Sequence, residues 1–152
     1  MRRILTLAAF TVVLSPVAAA TLLAAPAGAS GTRAKLQLRH TSVGTILVNA
    51  RGYTVYAFAR DSRNKDACQS ISHCLTAWPP VTTSGTAIAG PGVHRNLLGT
   101  ITLKNGTKQV TYAGHPLYTF LGDQHPAETT FINFPQFGGR WPAVNAAGGE
   151  VK

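Results

Sequence analysis

Gly52-Tyr53-Thr54-Val55-Tyr56-Ala57-Phe58-Ala59-Arg60-Asp61 returns as Gly114-His115-Pro116-Leu117-Tyr118-Thr119-Phe120-Leu121-Gly122-Asp123, shifted by 62 residues. Val48 falls on Val110 in the same frame, and after a one-residue slip Trp78-Pro79 meets Trp141-Pro142. Each copy reads as a strand, a Gly turn, a strand bearing Tyr-x-Phe, an Asp, a loop and a Trp-Pro. Two copies are too few for a solenoid, which needs about three to cover its faces. The expectation is therefore an all-β fold of mainly antiparallel hairpins. Two pseudo-repeats, at 44–82 and 98–144, pack into one small domain over 41–152 with at most short helical turns.

Working outward, Asn105-Gly106 lies between two alternating runs, Thr100–Lys104 and Thr107–Tyr112. Both residues tolerate the positive φ of a type I′ turn, so a two-residue hairpin loop is predicted. That register pairs Lys104 with Thr107, Ile101 with Val110 and Leu103 with Lys108. Ile101, Leu103, Val110 and Tyr112 then share a buried face, and Thr100, Thr102, Lys104, Thr107, Gln109 and Thr111 the other. Ala113-Gly114 turns the chain into His115–Leu121. A two-residue turn there sets Val110 opposite Leu117 and puts Tyr118 and Phe120 beside Gln109 and Thr111; a three-residue turn reverses the faces. By analogy Ile46–Val48 and Thr54–Phe58 form the first-half hairpin across Asn49–Gly52. Residues 30–40 form a linker or an edge strand through Leu36 and Leu38. One helical turn is expected near Cys74–Trp78, stopped by Pro79-Pro80, and Thr82–Gly92 reads as the connection between repeats.

The N-terminus begins Met1-Arg2-Arg3, runs apolar from Ile4 to about Ala25 and ends Ala27-Gly28-Ala29. A basic start, an apolar run and small residues at a cut site read as a secretory signal peptide over residues 1–29, cleaved near Ala29 with Val17-Ala18-Ala19 as an earlier alternative site. The competing reading keeps the apolar run, roughly 20 residues, as an uncleaved membrane span, which Ser15-Pro16 interrupts. Beyond Ala29 lie 123 residues, enough for one core. They hold twelve Lys and Arg against five acids, a formal charge of +7. The cations are scattered, which argues against a nucleic-acid site. They suit solubility and weak adhesion to a cell-wall polymer, an anionic surface or an envelope protein.

In an oxidising compartment Cys68 and Cys74, the only cysteines, are expected to pair and pin the stretch between them. Their spacing is not the C-x-x-C of thiol oxidoreductases. Zinc held by Cys68, Cys74 and His73 would need a fourth ligand from elsewhere, and pairing would consume two of the three. His40, His73, His94, His115 and His125 form no ligand-spaced pair. Asp61 and Asp123 make a poor glycosidase pair, because acid–base work needs environments that separate two pKa values and these acids are equivalent by repeat. No nucleophile triad or phosphate loop is present. A non-catalytic protein without a cofactor or metal is expected.

The tandem Tyr56-x-Phe58-x-x-Asp61 and Tyr118-x-Phe120-x-x-Asp123 resembles that of a family of secreted bacterial repeat proteins and lipoproteins of unknown function. The likeness extends through Cys68, Cys74, Trp78-Pro79-Pro80, Leu98–Ile101 and Gln109–Tyr118 to Gly138-Gly139-Arg140-Trp141. It implies fold and location, and no activity. Many members look like membrane-anchored lipoproteins, whereas here no cysteine lies near the cut site to carry a lipid. Tyr and Phe two apart on a strand point the same way, and the Asp falls at the strand end, where it accepts turn N–H bonds. The motif is thus expected to be structural. The competing expectation makes Tyr56, Phe58, Asp61, Tyr118, Phe120, Asp123 and His115 the walls of a ligand groove. Two functions follow: an exported β-rich module binding a polymer, small ligand or partner protein, or a metal or redox accessory protein of the envelope.

Overall fold

A computed structural model describes residues 31–151; the proposed signal peptide lies outside them. The chain forms small, mostly antiparallel sheets. β1 (Lys35–Thr41) and β2 (Gly44–Asn49) pair through the tight turn Ser42-Val43, and β3 (Ile88–Ala89) adds in parallel to the start of β1. β4 (Leu98–Thr102), β5 (Lys108–Tyr112) and β6 (His115–Pro116) make the second sheet. Two two-stranded ribbons follow: β7 (Phe134–Gln136) with β8 (Gly139–Trp141), and β9 (Ala143–Val144) with β10 (Glu150–Val151). Among the described residues helix is confined to α1 (Cys74–Ala77) and two 3₁₀ turns. Among the described residues no helix is long and apolar enough to cross a membrane.

The hairpin at Asn105-Gly106 exists, but its register differs by one residue from the expectation. Thr100 pairs with Val110 and Ile101 with Gln109. The loop has three residues: the Gly106 N–H closes a turn on the Leu103 carbonyl at 2.9 Å, and only Gly106 takes positive φ, +82°. Asn105 Oδ1 accepts the Thr107 N–H at 3.0 Å, which favours this longer loop. The first-half hairpin uses the same device, with the Gly52 N–H bonded to the Asn49 carbonyl and Val48 opposite Thr54. At Ala113-Gly114 both residues have positive φ, so the turn is the two-residue type and Val110 lies opposite Leu117.

The expectation of one solvated face on β5 is also corrected. Gln109 and Thr111 are buried along with Val110 and Tyr112. Both faces are covered because the repeats close over each other. Val55, Ala57, Val110 and Leu117 join Leu36, Leu47, Val81 and Val144 in an aliphatic cluster. The alternate residues Tyr56, Phe58 and Tyr118 join Trp78, Trp141, Cys68 and Cys74 in an aromatic cluster on the other side. The motif strands are thus the partition between two cores. β1 is no simple edge, since β2 and β3 flank its first residues. The inter-repeat stretch is not merely a connection either: the Val110 N–H bonds the Val81 carbonyl, and the Thr83 N–H bonds that of Lys108.

Candidate functional site

The two motif strands meet at Tyr56 and Tyr118, which exchange backbone N–H···O bonds of 2.9 Å each way. Around this pair the repeats are related by an approximate two-fold. The Ala57 N–H bonds the Pro142 carbonyl as the Thr119 N–H bonds that of Pro79. The Ala59 N–H bonds the Arg140 carbonyl as the Leu121 N–H bonds that of Ala77. Each Trp-Pro segment therefore runs beside the other repeat's motif strand, and the slip from 62 to 63 residues falls in the loop before it.

Side chains repeat the exchange. The Tyr118 hydroxyl donates to Asp61 Oδ2 at 2.8 Å, and the Tyr56 hydroxyl reaches both oxygens of Asp123 at 3.1 and 3.2 Å. Asp61 Oδ1 also accepts the Ala67 N–H at 2.7 Å and so fixes the turn after its strand. Between the two Tyr–Asp bonds the indoles of Trp78 and Trp141 stack at 4.0 Å, 4° from parallel. Phe58 caps Trp141 and Phe120 caps Trp78, each at 4.1 Å. Tyr56 and Tyr118 meet Trp78 and Trp141 edge-on at 5.1 and 5.2 Å. Offset and edge contacts of this kind add roughly 0.5–1.5 kcal/mol per pair beyond area burial. The symmetry breaks at Gln136, whose side-chain oxygen accepts the Trp78 indole N–H and whose backbone carbonyl accepts that of Trp141.

Electrostatics follow from burial. Loss of water pushes the Asp61 carboxyl up to about 7, against the lowering by the Ala67 N–H and the Tyr118 hydroxyl. Burial likewise raises Asp123 to about 7, against the Tyr56 hydrogen bond. Both phenols are held above the usual tyrosine range by burial and then by the facing carboxylate. The acids equivalent by repeat are thus both raised, and by the same cause.

This placement corrects the groove expectation. Tyr56, Phe58 and Tyr118 are buried, and Phe120 is half-buried on the Trp78 indole, so no open groove is walled by these aromatics together. His115 lies on β6 opposite Tyr112, apart from the Tyr–Asp pairs. Cys68 and Cys74 form a disulfide with a Cα–Cα distance of 5.4 Å at the end of the aromatic cluster. Among the described residues no three His, Cys, Asp or Glu side chains gather as a metal site would require. Two contributors were missed: Gln136, which nothing in the repeat marks, and Asp66, buried beside Asp61 and Tyr118, whose Oδ1 accepts the Gln69 N–H.

A family model described as a secreted repeat of unknown function matches residues 38–82 and again 99–145. No curated protein and no solved structure matches the chain.

Proposed function

The chain belongs to that family of secreted repeats, and from this premise we propose an exported, non-catalytic module that adheres to anionic polymers of the cell envelope. Cleavage follows Ala29, and the protein then stays on the outer surface. The observation that carries this reading is where the charges lie. All eleven described Lys and Arg residues are exposed. Of the five acids, Asp66 and Asp123 are buried and Asp61 is half-buried, while the Glu128 carboxylate meets solvent. Asp61 and Asp123 are turned inward to tyrosines of the opposite repeat. The surface is therefore more uniformly positive than the composition suggests, and such a surface draws polyanions over long range.

The test is retention of the purified protein on isolated envelope polymer across a salt series. Distributed contacts predict tight retention at about 0.05 M salt and release well before 1 M, where the screening length falls to about 3 Å. Neutral polysaccharide should not retain it. Retention that survives 1 M salt, or no retention at low salt, overturns the proposal. N-terminal sequencing of the exported protein checks the cut, with Ser30 expected first.

A further inference from the structure

Two adjoining hollows lie outside the Tyr–Asp pairs and share a wall made by Asn49, Arg51 and Thr119. The larger, of about 460 Å³, runs between the segment before β1, the first hairpin turn and Pro80–Thr82. Arg33, Lys35 and Arg51 line it, and no acidic residue does. The smaller, of about 210 Å³, is lined by Tyr53, Phe120, Leu121 and Asp123. Together they fall within the usual size of small-molecule sites, roughly 300–1,000 Å³.

The shared wall is braced. Asn49 Oδ1 accepts the N–H groups of Arg51 and Tyr53 at 3.0 and 3.1 Å, and Gln37 Nε2 donates to the Asn49 and Ala50 carbonyls. The Arg51 guanidinium carbon sits 5.6 Å from the centre of the Tyr53 ring, which orients its charge. Arg33 is tied by its Nε to the Thr86 carbonyl at 2.7 Å. At the far end Leu121 is 64% exposed beside Phe120. Three cations at one end suit an anionic group. An aromatic and aliphatic surface at the other suits a hydroxylated ring, whose faces are apolar.

We propose that this bipartite cleft binds an acidic sugar unit, its anionic group against Arg33, Lys35 and Arg51 and its ring over Tyr53, Phe120 and Leu121. The site deepens the adhesion reading, giving the distributed charge one specific point of attachment.

The experiment is calorimetric titration of the purified protein at physiological ionic strength with three probes: oligogalacturonate, neutral maltotetraose and inorganic polyphosphate. Oligogalacturonate should bind saturably at one site, and maltotetraose at least about tenfold more weakly, the loss of one charge-assisted contact. Arg51→Ala should weaken oligogalacturonate by about tenfold or more, and Leu121→Asp by a similar factor. Arg95→Ala, outside both hollows, should stay within about twofold. Each variant is on the surface, and an unchanged melting curve shows that it folds. If Arg95→Ala weakens binding as much as Arg51→Ala, or polyphosphate matches oligogalacturonate in every variant, the cleft is refuted while distributed adhesion stands. Absence of binding by both anionic probes refutes the cleft, and the salt series on isolated polymer decides the distributed reading separately.

Discussion

Raising the pH should destabilise this protein through the neutral range. Asp61 and Asp123 are pushed from the ordinary carboxylate value near 3.8 to about 7 in the fold. Between those values the folded chain holds protons that the unfolded chain has released. Stability from these acids is therefore fully present below about pH 3.8 and is lost as pH rises through 7. Each pKa unit corresponds to about 1.36 kcal/mol, so the displacement sets an upper bound on the order of 4 kcal/mol per acid. Water reaches both carboxylates in part, and screening brings the two together to about 2–4 kcal/mol. Roughly three-fifths of that loss falls above pH 5, so for a domain of this size it is about 4–10 °C in Tm between pH 5 and pH 8.5. Thermal melts followed by near-ultraviolet circular dichroism read it directly, because the stacked indoles report on the core. In Asp61→Asn/Asp123→Asn, where nothing titrates but a carbonyl still faces each tyrosine, the slope over this window should flatten. A Tm that climbs from pH 5 to 8.5, or a double variant that keeps the slope, would refute the reasoning.

Three further outcomes test the same core. Trp141→Ala removes one stacked indole and leaves a cavity beside Trp78, so urea denaturation should show a loss of about 3–5 kcal/mol. Tyr118→Phe leaves Asp61 Oδ2 without its donor; its cost should be about 1–3 kcal/mol at pH 8.5 and smaller at pH 5, again by urea denaturation. Opening the short loop with Cys68→Ser/Cys74→Ser should cost about 2 kcal/mol while leaving the far hairpin at Asn105-Gly106 intact by hydrogen exchange.

The repeat and its strands were legible because Tyr-x-Phe and the Gly turns are local signals with a fixed spacing. The register at Asn105-Gly106 was not. The same dipeptide serves a two-residue loop or the end of a three-residue one, and the Asn105 side chain bonding the Thr107 N–H decides it here. The exposure of the motif strands was equally hidden. Alternation distinguishes two faces, but Tyr56 and Phe58 on one and Val55 and Ala57 on the other are both apolar sets. Reading that as burial on both sides needs the second repeat in place. Asp61 was legible as a turn-fixing residue, which its bond to the Ala67 N–H shows. Its bond to Tyr118 was not, since it joins residues 57 apart in sequence. The cationic cleft draws Arg33, Lys35 and Arg51 from two segments that look scattered in one dimension.

Reciprocity explains why the motif comes in pairs. Each repeat supplies a phenol to the other's carboxylate and an indole to the other's stack, so a single copy would expose Trp78, leave Tyr56 without its acceptor and deprive Asp61 Oδ2 of its donor. Burying a lone carboxylate is costly, whereas a carboxyl that shares a proton-rich environment with a phenol is tolerated. Using Asp rather than an apolar residue at this point has a second consequence. The two acids that join the repeats are withdrawn from the surface in the same act, and eleven exposed cations are left with little to offset them. Replacing Asp61 and Asp123 by Asn should thus change the pH profile of folding while leaving adhesion to polyanions well below neutrality, where both acids are already uncharged, nearly unaltered. Stability and surface charge are separable in this molecule because the motif places its acids inside.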